Sequence, residues 1–174
     1  MKFRKPRKPN KARNLPRPAP QRTGEDPAVL DVSYRLAGDK ITAIKIAKYF
    51  LTLKTTRYPD ITLPEAVVFM HLEAEQEEFA YQHEYNSGRL YRGGAVIDFW
   101  LPNKATVIRV QGDYFHTRPE RVELDLIQRS ELAFAMIDGK RVERVVDIWE
   151  SRLLAANRKH TILAALNGEE LGQA

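Results

Sequence analysis

The chain has 174 residues, with 28 Lys and Arg against 23 Asp and Glu, 10 Pro, 9 Gly and no Cys, a length that allows one domain and a tail but not two substantial cores. A hydrophobic fraction of 43% beside 29% charged residues is that of an ordinary soluble globule, and no apolar run approaches the ~18 residues of a membrane span. The absence of cysteine excludes disulfides, thiolate catalysis, a cysteine zinc site and iron–sulfur clusters. No apolar stretch follows the basic N-terminus, so the expectation is no secretory signal, no membrane partner and a cytoplasmic setting, in a bacterial cell or associated with a virus.

Charge is unevenly spread. Residues 1–22 hold nine basic residues (Lys2, Arg4, Lys5, Arg7, Lys8, Lys11, Arg13, Arg17 and Arg22), no acid and half of the prolines; the remaining residues then carry 19 basic against 23 acidic groups, a net charge of −4. Such an arm cannot bury enough apolar surface to offset its ordering entropy, and disorder is expected up to about residue 27. Nucleic-acid phosphate is its natural partner, because each neutralising Lys or Arg releases counterions. The alternative is an assembly tail that threads into another protein.

Residues 28–58 form an accessory segment in which Ile41, Ile44, Ala47, Lys48 and Leu51 mark a helical face, with Asp39 near its start. Thr62-Leu63-Pro64-Glu65 is a capping box with proline in the first turn, which predicts a helix over 63–78 ending in a solvated acidic run, Glu73 to Glu78. From Phe79 the period changes to strands: one around Phe79–Tyr85, a turn at Asn86-Ser87-Gly88, Gly93-Gly94, then Ala95 to Leu101, a turn at Pro102-Asn103-Lys104, and a buried strand over 105–112. A helix over 119–137, a strand over 141–149 and a closing helix over 150–166 complete the chain. The order predicts an α/β three-layer sandwich, with a mixed sheet flanked by helices and a helical crossover between two parallel strands.

Asp98 is the residue that this pattern explains least, since a carboxylate inside an apolar strand is costly to bury unless paired or metal-bound. The run Gly94-Ala95-Val96-Ile97-Asp98-Phe99, followed by Val107-Ile108-Arg109-Val110-Gln111-Gly112-Asp113-Tyr114-Phe115-His116 and later by Val145-Val146-Asp147-Ile148-Trp149-Glu150, resembles the core of the very-short-patch repair (Vsr) endonucleases. These are DNA-repair members of the restriction-endonuclease-like PD-(D/E)XK superfamily. The likeness spans residues 60–157 and places a nuclease-fold domain over 59–174.

The resemblance implies a Mg²⁺- or Mn²⁺-dependent DNA endonuclease that nicks one strand. Asp98 would hold the ion with the backbone carbonyl of Val110, oxygen donors that suit a hard cation. His116 would take a proton from the attacking water and Asp125 would fix its tautomer. Glu65 would position a metal-bound water, and Tyr114 and Phe115 would wedge into the base stack. Each has a duller role available: Glu65 completes a capping box, Asp125 on an amphipathic helix would face water, a lone histidine is often structural, and paired aromatics are often core. The chain also departs from the family. Arg109-Val110-Gln111 stands where related nucleases of the superfamily carry Glu-x-Lys or Glu-x-Asp, a lysine that the Vsr enzymes themselves also lack; Gln111 replaces a histidine of the family motif, and no cysteines exist for the structural zinc. A nuclease fold without catalysis, serving as a nucleic-acid-binding or structural subunit, and an RNA-binding protein therefore stay open.

Overall fold

Gly38 and Asp39 divide the accessory segment into two helices, α1 (Pro27–Ala37) and α2 (Lys40–Thr56), in the computed structural model of the chain. The structure describes residues 27–85, 95–112, 119–153 and 157–172. The basic residues from Lys2 to Arg22, the turn at Asn86-Ser87-Gly88, Gly93-Gly94 and the run Tyr114-Phe115-His116 lie outside the described residues. Where one helical face was expected, Gly38 takes a φ of +79° that ends α1, and the Asp39 carboxylate caps α2 by accepting the Thr42 N–H at 2.9 Å.

The capping box at Thr62 starts α3 (Leu63–Ala74) as expected, but the helix stops four residues before 78. Gln76 turns left-handed at φ +57°, and the Gln76 and Glu77 N–H groups bond back to the Glu73 and Leu72 carbonyls, a Schellman closure. The acidic run is therefore not a free helix face. Glu73 accepts the Tyr49 hydroxyl at 2.6 Å, Glu77 pairs with Lys104 at 3.1 Å, and Glu78 accepts from Asn103 at 3.0 Å.

Strands β1 (Ala80–Tyr85), β2 (Ala95–Leu101) and β3 (Thr106–Gln111) form an antiparallel meander. Helix α4 (Pro119–Ala133) leads over a small hairpin, β4 (Met136–Ile137) and β5 (Lys140–Arg141), to β6 (Arg144–Trp149). β6 lies parallel to β3, so the sheet order is β1-β2-β3-β6 and the α/β mixed sheet with a helical crossover stands as expected. Two boundaries move because the hairpin intervenes. Asp138 and Gly139 have φ of +50° and +76°, the backbone of a tight two-residue turn, and this ends α4 at Ala133 and delays the last strand to Arg144. The closing segment is a 3-10 turn, Glu150–Leu153, followed by α5 (Arg158–Leu166), rather than one helix.

Two cores cover the two sheet faces. α1, α2, α3 and α5 pack on one face against Phe99, Leu101, Ile108, Val146 and Ile148. On the other, Leu132 of α4, Ala135, Ile137 and Val142 cover Ile97, Trp100 and Val107. At roughly 25 cal/mol per Å² of buried apolar surface, such burial is the main term stabilising the fold. No helix among the described residues is long and apolar enough to cross a membrane.

Candidate functional site

Side chains alternate faces along a regular strand, so residues two apart share a face. β2 breaks this rule at Asp98: Ile97 packs into the α4-side core while Phe99, two positions on, packs into the opposite one. β1 breaks it at the same rung, with Tyr81 on one face and Tyr85 on the other, and Gln82 between them at φ +51°. The ladder records the same event. Tyr81 pairs with Phe99 and His83 with Ile97, without a Gln82–Asp98 pair between them, and the β2–β3 pairing runs only from Leu101–Thr106 to Phe99–Ile108. β2 and β3 thus separate at Asp98, and its carboxylate enters the gap, where Oδ2 accepts the Val110 N–H at 2.7 Å. In an extended strand the N–H and C=O of one residue project to the same edge, so the Val110 carbonyl faces this gap as well.

Glu65, in the first turn of α3, is the second carboxylate here. Its Oε2 accepts the Thr62 N–H at 2.6 Å, the Thr62 hydroxyl at 2.8 Å and the Tyr81 hydroxyl at 3.1 Å. Tyr81 is itself fixed by ring contacts to Tyr58, Phe69 and Phe99, with centroids 4.7, 5.6 and 5.1 Å apart. Burial, and then the negative charge of Glu65, push the Tyr81 hydroxyl well above its ordinary range and hold it protonated as a donor. The same two causes lift the Asp98 carboxyl to about 7, against the weaker opposing pull of the Val110 N–H. Each carboxylate is anchored through one oxygen, and among the described residues Asp98 Oδ1 and Glu65 Oε1 accept no hydrogen bond.

Asp98 and Glu65 are the carboxylates here that could hold a hard divalent cation. A buried carboxylate beside a second negative charge is costly to ionise, and a cation held by Asp98 would relieve that cost. Among the described residues no three His, Asp or Glu side chains gather to ligate a metal; the carbonyl of Val110, water and phosphate oxygens would have to complete the shell.

Of the residues singled out in the sequence, Glu65, Asp98 and Val110 are brought together. Asp125 sits across the sheet, where its Oδ1 accepts Arg109 at 3.2 Å. Tyr114, Phe115, His116 and the arm lie outside the described residues. Arg109 and Gln111 turn to the α4 side and are both bound to Asp147, Arg109 at 3.5 Å and Gln111 at 3.1 Å; Arg129 joins that carboxylate at 2.5 Å. These groups line a pocket of about 330 Å³ with Val122, Leu126, Trp149 and Glu170. Tyr81 and the Asp147 network are the site features that sequence reading did not single out. Tyr81 carries no local signal, because its partner is set by packing; the buried charge pairing of Asp147 shows in the sequence only as an acid between apolar strand residues, as Asp98 does.

No family model, curated protein or solved structure matches the chain.

Proposed function

We propose that the protein is a Mg²⁺-dependent DNA endonuclease of restriction-endonuclease-like fold, similar in its core to the Vsr enzymes, with the N-terminal arm adding affinity for the DNA backbone. The observation that carries this reading is the convergence of Asp98 and Glu65 at a break in the sheet, each with one oxygen anchored and one open. A bound Mg²⁺ would supply charge neutralisation at the phosphate and a more acidic water. Asp98 and the Val110 carbonyl offer it oxygen donors. Glu65, fixed by Thr62 and Tyr81, orients the attacking water through its open oxygen. His116 is assigned the proton from that water on the strength of the sequence resemblance, whereas Asp125, paired with Arg109 across the sheet, is given no part in the reaction.

The test is conversion of supercoiled plasmid to open circles, with mismatched duplexes and single-stranded DNA as further substrates, in Mg²⁺ or Mn²⁺. Wild type should nick, while Asp98→Ala, Glu65→Gln and His116→Ala should lose at least about a hundredfold in rate. Absence of cutting on every substrate would remove the enzyme reading. One observation favours a second reading, a nucleic-acid-binding subunit of nuclease fold without catalysis: Arg109 and Gln111 are committed to Asp147 and leave no side chain on that strand to polarise a water. Calorimetric titration with Mg²⁺ separates the two, because the inert subunit predicts no Asp98-dependent binding.

A further inference from the structure

Past α5 the chain does not run into solvent. Asn167 offers its carbonyl to Arg144 Nη1 at 3.1 Å at the start of β6, and Gly172 offers its carbonyl to Arg152 Nε at 2.7 Å, just beyond the end of that strand. Between them Glu170 takes both terminal nitrogens of Arg129, whose guanidinium also reaches the Val145 carbonyl and Asp147. Residues 167–172 therefore follow the outer edge of β6 along its length, as a strap held by three arginines from three different elements. Among the described residues no backbone hydrogen bond joins the strap to β6. The Arg144 guanidinium has no carboxylate partner among them. Gly168, at φ +77°, lets the strap lie directly on Arg144, since an added Cβ would collide with the Arg144 side chain.

We propose that Arg129, Arg144 and Arg152 form a phosphate-binding row along the β6 edge, and that the strap occupies this row in the free protein and yields it to a nucleic-acid backbone. Among the described residues the strap offers the row the Glu170 carboxylate and the Asn167 and Gly172 carbonyls, oxygen acceptors of the kind that a phosphodiester chain supplies with more charge. Contacts made by side chains alone can be exchanged without breaking the sheet, and Glu170 takes the planar two-point contact that Arg makes with phosphate. The ligand class, a nucleic-acid backbone, rests on the proposed function; the row itself rests on the geometry of β6.

The experiment is fluorescence anisotropy of the full chain with labelled single-stranded and duplex oligonucleotides, in EDTA so that cleavage plays no part. Glu170→Gln, which empties the acidic contact, and Gly168→Ala, which lifts the strap off Arg144, should each tighten binding by about three- to tenfold and steepen its salt dependence. Arg144→Gln added to either should cancel the gain. Glu169→Gln removes the same charge without touching an arginine and should gain far less. In the wild-type chain, hydrogen exchange at residues 167–172 should quicken when the oligonucleotide binds, a readout that needs no variant to fold. An unchanged affinity for both strap variants, an equal gain for Glu169→Gln, or unaltered exchange would each overturn the row. A chain that never nicks but shows the gain keeps the row and loses the enzyme; a chain that nicks without the gain keeps the enzyme and loses the row.

Discussion

Asp98 makes the fold's stability depend on pH in an unusual direction for a carboxylate. Its carboxyl is lifted from 3.8 to about 7, first by burial and then by Glu65, so the folded chain holds this proton more tightly than the unfolded one. The stabilisation is whole below about pH 4 and is lost as pH rises to about 7, with an ionised penalty on the order of 4 kcal/mol. Asp98→Asn keeps an oxygen for the Val110 N–H and removes the charge, so it should melt higher than wild type at pH 8 and at nearly the same temperature at pH 4. Mg²⁺ should raise the wild-type Tm at pH 8 and leave that of Asp98→Asn unmoved; equal shifts in the two proteins would argue against an ion at this carboxylate. Arg109 is buried and pairs with Asp125 and Asp147. Arg109→Met would leave the Asp147 carboxylate with less compensation and should cost about 3 to 5 kcal/mol, read by urea denaturation.

At the scale of elements, the first turn of α3 serves both folding and site. The Thr62 hydroxyl caps the helix and donates to the same Glu65 oxygen that Tyr81 reaches. Thr62→Ala should cost about 1 kcal/mol of stability. It should also reduce nicking, because Glu65 loses one of its three anchors, while Thr62→Ser should restore both. If Thr62→Ala lowers Tm and leaves the nicking rate intact, the Thr62 hydroxyl is only structural and the Thr62 N–H and Tyr81 suffice to hold Glu65. The paired inversion of β1 and β2 at Gln82 and Asp98 is the other element-level device. It ends the β2–β3 ladder and so opens the gap that Asp98 fills.

For the whole molecule, charge separates the arm from the globule. The nine basic residues of the arm sit on a remainder of net charge −4, so deletion of residues 1–26 should leave the melting temperature within a degree or two and weaken DNA binding sharply. The slope of log K against log salt should flatten by several units, at about 0.9 for each phosphate that the arm no longer neutralises. A truncated chain that binds duplex as tightly as the full one would place DNA affinity elsewhere. α1 and α2 share the larger core with α3, β2, β3, β6 and α5, so truncation past residue 26 should unfold the chain rather than trim it.

Local chemistry and periodicity were enough to read the α3 capping box, the β2–β3 hairpin, the parallel return of β6 and the anomaly of Asp98, because each depends on residues close in the chain or on a simple alternation of apolar and polar positions. The extent of α3 and α4 was not legible in that way: a left-handed Gln76 and the small hairpin at Asp138-Gly139 stop the helices, and propensity alone favours continuing them. The site was half legible. Glu65 and Asp98 could be named from sequence, but their proximity, the Tyr81 hydroxyl that fixes Glu65 and the commitment of Arg109 and Gln111 to Asp147 arise from contacts between residues 12 to 38 positions apart. Burial and the addition of charges across space decide such contacts, and both exist only once the sheet and its two helical layers have formed.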